Sequence, residues 1–166
     1  MSQDPDAHRG KDTGTAGVVA RPPVLFLIAL LLGLALDRLL PVRSGVPEAG
    51  LPCWIGAGSV MLLGLALAAA GILDFTRAGT PVPTNKPTCT LVTTGLHGWT
   101  RNPIYLGMFL LYGGIGLAAR SPWTLLLTVP LAITIRYGVI AREETYLERR
   151  FGDAYRAYKA RVRRWL

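Results

Sequence analysis

Charged residues are scarce in this sequence, and acidic residues are the scarcest of them. Asp, Glu, Lys and Arg make up 17% of the 166 residues, whereas ordinary soluble domains carry roughly 25%. The 18 basic residues outnumber the 10 acidic ones, an excess that often indicates a nucleic-acid partner. Here, however, apolar residues form long runs and the basic residues lie mostly outside them. This distribution is typical of a membrane protein, so we expect no nucleic-acid partner, and disorder is excluded for most of the chain.

Cysteine is also scarce, with one residue at Cys53 and one at Cys89. The two do not form a CxxC pair, and neither belongs to a cluster with metal-ligand spacing. We therefore expect neither a disulfide framework nor a thiolate metal site, and we expect no metal.

The apolar runs predict an all-α, polytopic membrane helix bundle. A spanning helix needs about 20 mostly apolar residues, and four runs approach this length. Only Arg120 and Ser121 separate the third run from the fourth, which indicates a tight antiparallel hairpin. Pro130 lies inside the fourth run and should kink it. We predict a flexible tail at 1–22 and one membrane domain at 23–166, with spans at about 24–40, 51–73, 104–119 and 122–140.

The distribution of basic residues predicts the orientation of these four spans. Both chain ends must lie on one side, and fourteen of the 18 Lys and Arg residues flank the spans on that side. The other side holds three, namely Arg38, Arg43 and Arg120. Because Lys and Arg accumulate in cytoplasmic loops, we expect both termini in the cytoplasm. A bacterial inner membrane fits the small, Ala/Leu/Arg-rich chain, although an endoplasmic-reticulum protein would have the same topology.

Two cytoplasmic segments remain between and after the spans. Residues 74–103 form a long Pro/Gly/Thr-rich loop, and loops of this length are usually functional or disordered. Residues 141–166 have helical periodicity, with a break predicted at Gly152 and a new N-cap at Asp153. The piece after the break is basic and amphipathic. We expect it to lie on an anionic membrane surface or to fold over the loop.

Polar residues gather at the cytoplasmic end of this predicted bundle. The loop contributes His97, Trp99, Arg101, Asn102 and Tyr105, and the fourth helix contributes others. With regular helical spacing, Arg136 shares a face with Glu143 and nearly shares one with Glu144. A cation and two carboxylates would then point into the bundle near the interface. Such a site suits reaction of a lipid-borne substrate with a water-soluble co-substrate.

Each residue also has a simpler interpretation. Arg136 could snorkel to the interface, and Glu143 and Glu144 could be solvated helix charges. Tyr105 and Tyr137 could be interfacial anchors. His97 could be a solvent-exposed loop residue, and Arg101-Asn102-Pro103 could be only the start of a helix. Three glycines of the second run most often indicate close helix packing; these are Gly56, Gly58 and Gly64.

The segment from Arg77 to Trp165 is similar to a superfamily of integral membrane methyltransferases. Its two branches are the isoprenylcysteine carboxyl methyltransferases and the phospholipid N-methyltransferases. The order and spacing of the motifs carry the resemblance. They stand here as RAGTPVP (77–83), LVTTGLHGWTRNPIYLG (91–107), AREETYLERRFGDAYRAYKARV (141–162) and RRWL (163–166), and GAGS (56–59) resembles a Gly-x-Gly segment of the phospholipid branch.

This resemblance implies S-adenosylmethionine as the methyl donor, bound in a cytosol-facing pocket that the C-terminal helix covers. It assigns the Glu-Glu pair to cofactor binding and two tyrosines to the covering segment. The cofactor-binding residues implied are His97, Arg101, Asn102, Pro103, Tyr105, Glu143, Glu144, Tyr155 and Tyr158. For the substrate we name Arg136 and Glu143 as orienting, catalytic residues. Arg101 is the candidate partner of the donor's carboxylate.

The resemblance further implies methyl transfer to a lipophilic acceptor at the cytoplasmic face. A carboxylate acceptor would need an orienting cation, for which Arg136 is the candidate, and an amine acceptor would need a base such as His97 or a glutamate. Two departures bear on this choice. Many members have G-P-Y where this chain has Gly95-Leu96-His97, and many have R-H-P where it has Arg101-Asn102-Pro103. The alternative is a non-catalytic membrane scaffold or lipid-binding protein.

Overall fold

A computed structural model describes residues 16–42, 50–82 and 87–166 of the chain. These residues form helices joined by loops. Helix α4 continues without a break through a π-helical segment at Ile135–Ile140 into α5, and a short 3-10 turn, Gly95–Gly98, precedes α3. The helices are α1 Pro22–Leu39, α2 Leu51–Arg77, α3 Pro103–Ala118, α4 Pro122–Thr134, α5 Ala141–Phe151 and α6 Asp153–Arg161.

The predicted membrane bundle is confirmed by the length and hydropathy of these helices. Three continuous helices are long and apolar enough to cross a membrane, namely Pro22–Leu39, Leu51–Arg77 and Pro122–Phe151. The fourth apolar helix, Pro103–Ala118, is shorter and packs most extensively against α2. The protein is therefore an integral membrane protein. Helix α2 extends beyond its predicted span end to Arg77. The fourth helix continues past its span to Phe151, in agreement with the break predicted at Gly152.

Small residues spaced seven apart make the contact between α2 and α3. Ala57, Gly64 and Gly71 are the buried small residues of α2, and α3 presents Gly107 and Gly114. A Cβ on Gly64 would lie 2.6 Å from the Gly107 carbonyl oxygen, so the two backbones touch. Close approach of small residues is a principal way that helices associate in lipid. Gly56 and Gly58, predicted to serve the same purpose, have open space around them.

We expect Gly64→Ala to destabilise the bundle. The new methyl group meets backbone atoms of α3, which cannot rotate away, and overpacking of this kind costs about 1–3 kcal/mol. Gly58→Ala is the matched control, because it adds the same methyl group to the same helix where nothing lies within 4 Å. Thermal unfolding in detergent should show a lower midpoint for Gly64→Ala only; equal midpoints would contradict the close contact.

Helix α1 packs against α4 on the other side of the bundle. At their closest approach Gly33 meets the backbone of Thr124, and Trp123 Nε1 donates to the Leu40 carbonyl oxygen at 2.8 Å. The turn from α3 to α4 is as tight as predicted: the Ser121 side chain caps α4 by accepting from Thr124 N. Pro130 lies inside α4 without ending it.

The π-helical segment receives the end of the predicted flexible tail. Val19 N donates to the Gly138 carbonyl oxygen at 3.3 Å, and Arg142 Nη1 donates to the Gly17 carbonyl oxygen at 2.9 Å. Ala16 is buried. Residues 16–21 of the predicted tail therefore pair with the π-helical segment, whose widened turn leaves a carbonyl free to accept. The rest of the predicted tail, 1–15, lies outside the described residues.

Helix α5 ends where the sequence predicts a break. Gly152 has a φ of +52°, a conformation that favours glycine, and it acts as both the end of α5 and the N-cap of α6. Asp153 is therefore the first residue of α6 rather than its cap, and it pairs with Arg156. After α6 the chain runs back beside the loop, where Thr100 and Arg163 form a parallel β-bridge.

Candidate active site

A pocket lies between the loop that precedes α3, the start of α3, helix α5 and helix α6. Its polar lining comes from the loop, from the start of α3 and from the two C-terminal helices. Its apolar lining comes from the ends of α1 and α2, from α3, and also from the loop, the π-helical segment and α5. The residues used below, all of which line it, are Pro22, Pro23, Ile72, Phe75, Thr88, His97, Arg101, Asn102, Pro103, Ile104, Tyr105, Met108, Ile140, Glu143, Glu144, Tyr155 and Tyr158.

Asp74, near the end of α2, organises the 3-10 turn. Its Oδ2 accepts a hydrogen bond from Leu96 N at 2.9 Å and lies 3.2 Å from His97 Nδ1. Gly95 has a φ of +62°, and a Cβ at this position would collide with the Asp74 carboxylate. Position 95 therefore requires glycine for two reasons, the positive φ and the lack of space for a Cβ. The turn places the His97 ring against the pocket.

The His97 side chain is buried and held from several directions. Its ring packs edge-on against Phe75, with 4.8 Å between the centroids, and its carbonyl oxygen accepts from the Tyr158 hydroxyl at 2.6 Å. Burial lowers the pKa of His97, while the hydrogen bond and the charge of Asp74 act in the opposite direction. The imidazole is therefore neutral at pH 7 and its protonation lies on the acid side of pH 6.5, the ordinary histidine value.

Glu144 joins the loop to the C-terminal segment through two guanidinium groups. Arg164 binds it with two parallel hydrogen bonds of 2.8 Å, from Nε to Oε1 and from Nη2 to Oε2. Arg101 Nη1 lies 3.1 Å from the same carboxylate. Fork-shaped pairing of this kind is the strongest geometry that an arginine makes with a carboxylate. Glu144 is accordingly engaged by two cations and has little capacity left for a ligand.

Arg101 lines the pocket and keeps unused hydrogen-bond donors. Its side chain is 9% exposed, and neither Nε nor Nη1 has a hydrogen-bond partner. The short distance from Nη1 to Glu144 is an ion pair without hydrogen-bond alignment. Buried polar groups are nearly always hydrogen-bonded, so a guanidinium left in this state points to an anionic group of a ligand.

Glu143 is the second carboxylate of the pocket and has a different partner. Tyr105, in the first turn of α3, donates its hydroxyl hydrogen to Glu143 Oε1 at 2.8 Å. Both residues are buried. Glu143 thus keeps acceptor capacity on its other oxygen, and it stands close to the positively charged Arg101–Glu144–Arg164 group without belonging to it.

Helix α6 and the last residues of the chain cover the pocket. Tyr155 and Tyr158 are the buried residues of α6. Burial together with the charge of Glu144 raises the pKa of Tyr155 to about 12. Its hydroxyl is therefore uncharged at neutral pH. The Arg164 carbonyl oxygen accepts from Asn102 Nδ2 at 2.9 Å and from Thr100 Oγ1 at 3.2 Å. This C-terminal strap, residues 162–166, holds the cover against the loop.

The apolar side of the pocket reaches the bundle. Ile72 and Phe75 come from α2, Ile104 and Met108 from α3, and Pro22 and Pro23 from the first turn of α1. The pocket therefore combines polar groups of the loop and the C-terminal helices with apolar side chains of the membrane helices. Such a pairing suits a polar co-substrate and a lipophilic one that react at their junction.

The structure brings together all nine residues that the sequence indicated for cofactor binding, since each of them lines this pocket. Their role in binding a cofactor stays a prediction. Arg136 does not line it; its guanidinium stands over the Tyr137 ring, 5.1 Å from the centroid. The predicted shared face of Arg136 and Glu143 assumed a regular helix. The π-helical segment at Ile135–Ile140 adds a residue to the turn and rotates Arg136 away.

Sequence reasoning missed three contributors to the site. Asp74 looked like the polar end of a span, and Arg164 looked like one of several basic residues of a terminal helix. Thr88, whose backbone N–H donates to the Tyr146 hydroxyl oxygen at 3.1 Å, was one threonine of a Thr-rich loop. Each acts through a partner at least 20 residues away in the sequence, so spacing alone gave no signal. The GAGS segment, by contrast, lies in the first turns of α2 and does not line the pocket.

Comparison with known proteins identifies a family. A family model described as phospholipid methyltransferase matches residues 53–154, which include α2, the loop, α3, α4 and α5. An uncharacterized protein of Haemophilus influenzae is 54% identical over 52 residues, covering 26% of this chain and 82% of that protein. No solved structure matches the chain significantly.

Proposed function

Because the chain belongs to the phospholipid methyltransferase family, we propose that it transfers a methyl group from S-adenosylmethionine to a lipophilic acceptor. The observation that carries the proposal is the buried Arg101 guanidinium, which lines the pocket, is ion-paired with Glu144, and has no hydrogen-bond partner at Nε or Nη1. A structural arginine would be fully paired at this depth. A donor molecule with a free carboxylate supplies the missing partner.

The remaining polar groups of the pocket fit the same donor. Its carboxylate would pair with Arg101, and its ammonium group would pair with Glu143. The aromatic rings of Tyr155 and Tyr158 offer faces that stabilise a sulfonium cation. When bound, S-adenosylmethionine supplies an activated methyl group, so the protein needs neither a nucleophile nor a metal of its own.

The contribution of the protein to such a transfer is placement. The reaction is an in-line displacement, and holding two reactants in line is worth up to about 7–11 kcal/mol. Tyr105 orients Glu143, and the Glu144 ion pairs hold Arg101 and the covering strap in place. Helix α6 excludes bulk water from the polar end.

The apolar end of the pocket supports a lipophilic acceptor. Its lining by α1, α2 and α3 residues adjoins the membrane-spanning part of the bundle. An acyl or prenyl chain can occupy this end while its polar head reaches the donor. Arg136, outside the pocket, has no evident contact with an acceptor placed this way, and we propose no role for it in orienting the substrate.

Binding and transfer should be tested together on purified protein in detergent. We expect calorimetry to detect S-adenosylmethionine binding, and a tritiated methyl group to appear in lipid when donor and a total lipid extract are supplied. Glu143→Ala/Glu144→Ala should lose both. The scaffold alternative predicts a well-folded wild-type protein that binds no donor, and transfer to water-soluble acceptors alone would contradict the lipophilic acceptor.

The two native cysteines allow a direct test of the proposed cytoplasmic site. Cys53 lies in the first turn of α2 and Cys89 lies in the loop beyond its other end, and both are exposed. A helix of 27 residues is about 40 Å long, enough to place them on opposite sides of a membrane. We expect a membrane-impermeant maleimide to label Cys53 in intact cells, in the Cys89→Ser variant. In the Cys53→Ser variant, the reagent should label Cys89 only after the cells are lysed. Labelling of Cys89 but not of Cys53 in intact cells would place the pocket on the outer face of the membrane.

A further inference from the structure

A second groove lies against a different face of α5 from the one that lines the candidate active site. Its walls are the segment that precedes α1, residues 16–21, and the exposed face of α5, and its volume is about 280 Å³. None of its residues lines the candidate active site, so the groove is a separate feature of the molecule. The lining residues are Ala16, Gly17, Ala141, Arg142, Thr145 and Arg149.

Two arginines stand along the α5 wall of this groove. Arg142, Thr145 and Arg149 follow one another at spacings of three and four residues, which places them on one face of the helix. All three side chains are exposed. The two guanidinium groups therefore approach the groove from either side of Thr145.

The acidic residues of α5 do not balance the charge of these two arginines. Glu143 and Glu144 line the candidate active site on another face of the helix, and Glu148 pairs with residues of α6. Within the part of the chain that the structure describes, no ion pair involves Arg142 or Arg149. The groove is therefore a concave surface with a net positive charge.

The opposite wall is held by hydrogen bonds to its backbone. Arg142 Nη1 donates to the Gly17 carbonyl oxygen at 2.9 Å, and Val19 N donates to the Gly138 carbonyl oxygen at 3.3 Å. A guanidinium carries five N–H donors, so Arg142 keeps most of its donors for a ligand. The Thr145 hydroxyl donates to the backbone of its own helix, which leaves the arginines as the groups that can bind an anion.

The position of the groove along the bundle corresponds to the headgroup layer of a membrane. The continuous helix from Pro122 to Phe151 has 30 residues, whereas about 20 residues cross a hydrocarbon core about 30 Å thick. Counted from Pro122, the core ends near Ala141. Arg142 then falls among the lipid headgroups and Arg149 about two helical turns further out.

We propose that this groove binds the headgroup of an anionic phospholipid, with its phosphate between Arg142 and Arg149. A headgroup with a net negative charge supplies the counter-charge that the described residues do not, and basic grooves beside membrane helices are typical sites for such lipids. A lipid fits better than a free anion because its acyl chains hold the phosphate at this depth. The inference does not depend on the proposed methyl transfer.

The bound lipid would hold the N-terminal segment in place. Residues 16–21 form one wall of the groove and continue directly into Pro22 and Pro23, which line the candidate active site. A phosphate that bridges the two arginines fixes Arg142, which in turn holds the Gly17 carbonyl. The lipid in this groove is thus a structural ligand and is distinct from a methyl acceptor.

Binding is tested by titrating fluorescently labelled phosphatidylglycerol with the full-length protein in an uncharged detergent and following anisotropy. We expect saturable binding that unlabelled phosphatidylglycerol reverses. Phosphatidylcholine, which has the same phosphate but no net charge, should compete at least about tenfold less well, and inorganic phosphate at the same concentration should not compete. Equal competition by phosphatidylcholine, competition by inorganic phosphate, or no binding at all would each overturn the proposal.

Two double variants separate a defined groove from general attraction to basic residues. Arg142→Gln/Arg149→Gln should weaken binding about 30-fold, because each basic residue near an anionic surface contributes about fivefold. Arg156→Gln/Lys159→Gln is the matched control, since it removes the same charge from α6, outside the groove. Its affinity should stay within about twofold of wild type; equal weakening in the two double variants would contradict a site at the groove.

Hydrogen exchange locates the lipid without any substitution. Saturating phosphatidylglycerol should slow exchange in residues 16–21, where the Val19 amide bonds to Gly138, because the bound headgroup holds this segment against α5. Exchange in α6, Asp153–Arg161, should not change. Unchanged exchange at 16–21, or slowing confined to α6, would overturn the proposal even if the lipid binds.

Discussion

Replacing Arg101 by alanine is expected to abolish tight binding of S-adenosylmethionine. The substitution removes the buried guanidinium that lines the pocket and whose Nε and Nη1 have no hydrogen-bond partner. Truncating one member of a buried, charged hydrogen-bonded pair costs about 2–5 kcal/mol, so the dissociation constant measured by calorimetry should rise at least about 30-fold. Arg101→Lys keeps the charge but not the planar fork and should fall between wild type and Arg101→Ala.

A matched control separates ligand binding from the support of the fold. Arg164→Ala removes the other cation of Glu144, but Arg164 does not line the pocket. The Arg164→Ala variant should therefore bind the donor much more tightly than the Arg101→Ala variant does. If both variants lose binding equally, Arg101 acts by holding Glu144 and the assignment to the donor's carboxylate is wrong.

Replacing Glu144 by glutamine is expected to cause the largest loss of stability. The change leaves Arg101 and Arg164 facing each other without their shared counter-charge. Breaking a buried ion pair costs about 3–5 kcal/mol, and the lower end applies because the Arg164 side chain is 27% exposed. A loss of about 3 kcal/mol corresponds to a midpoint lowered by about 6–12 °C in a chain of this size.

The control for this prediction is Glu148→Gln. Glu148 pairs with Lys159 at 3.3 Å on the surface, and exposed pairs contribute less than about 1 kcal/mol. The midpoint of this variant should therefore move by a few degrees at most. Limited proteolysis gives a second measurement, because the C-terminal strap at 162–166 should be cleaved faster in Glu144→Gln; equal cleavage in both variants would show that Glu144 does not hold the strap.

Much of the architecture followed from the sequence, because it depends on local composition. Apolar runs of spanning length predicted the helices, and the two residues between the third and fourth runs predicted the tight turn. Gly152 predicted the end of α5, since its backbone preference acts within a few residues. The motifs of the loop and of α5 predicted the family, and the family match confirms that resemblance. They also named nine residues that prove to line one pocket.

The contacts that give these residues distinct roles were decided by the tertiary structure. Glu143 and Glu144 are adjacent in the sequence, yet one meets Tyr105 and the other meets two arginines from opposite ends of the site. Asp74 acquires its role only when the chain returns 22 residues later as the 3-10 turn. Arg136 lies in the π-helical segment and does not line the pocket, which helical periodicity could not indicate. Periodicity records which residues share a helix face, whereas burial and pairing depend on which distant segments meet there.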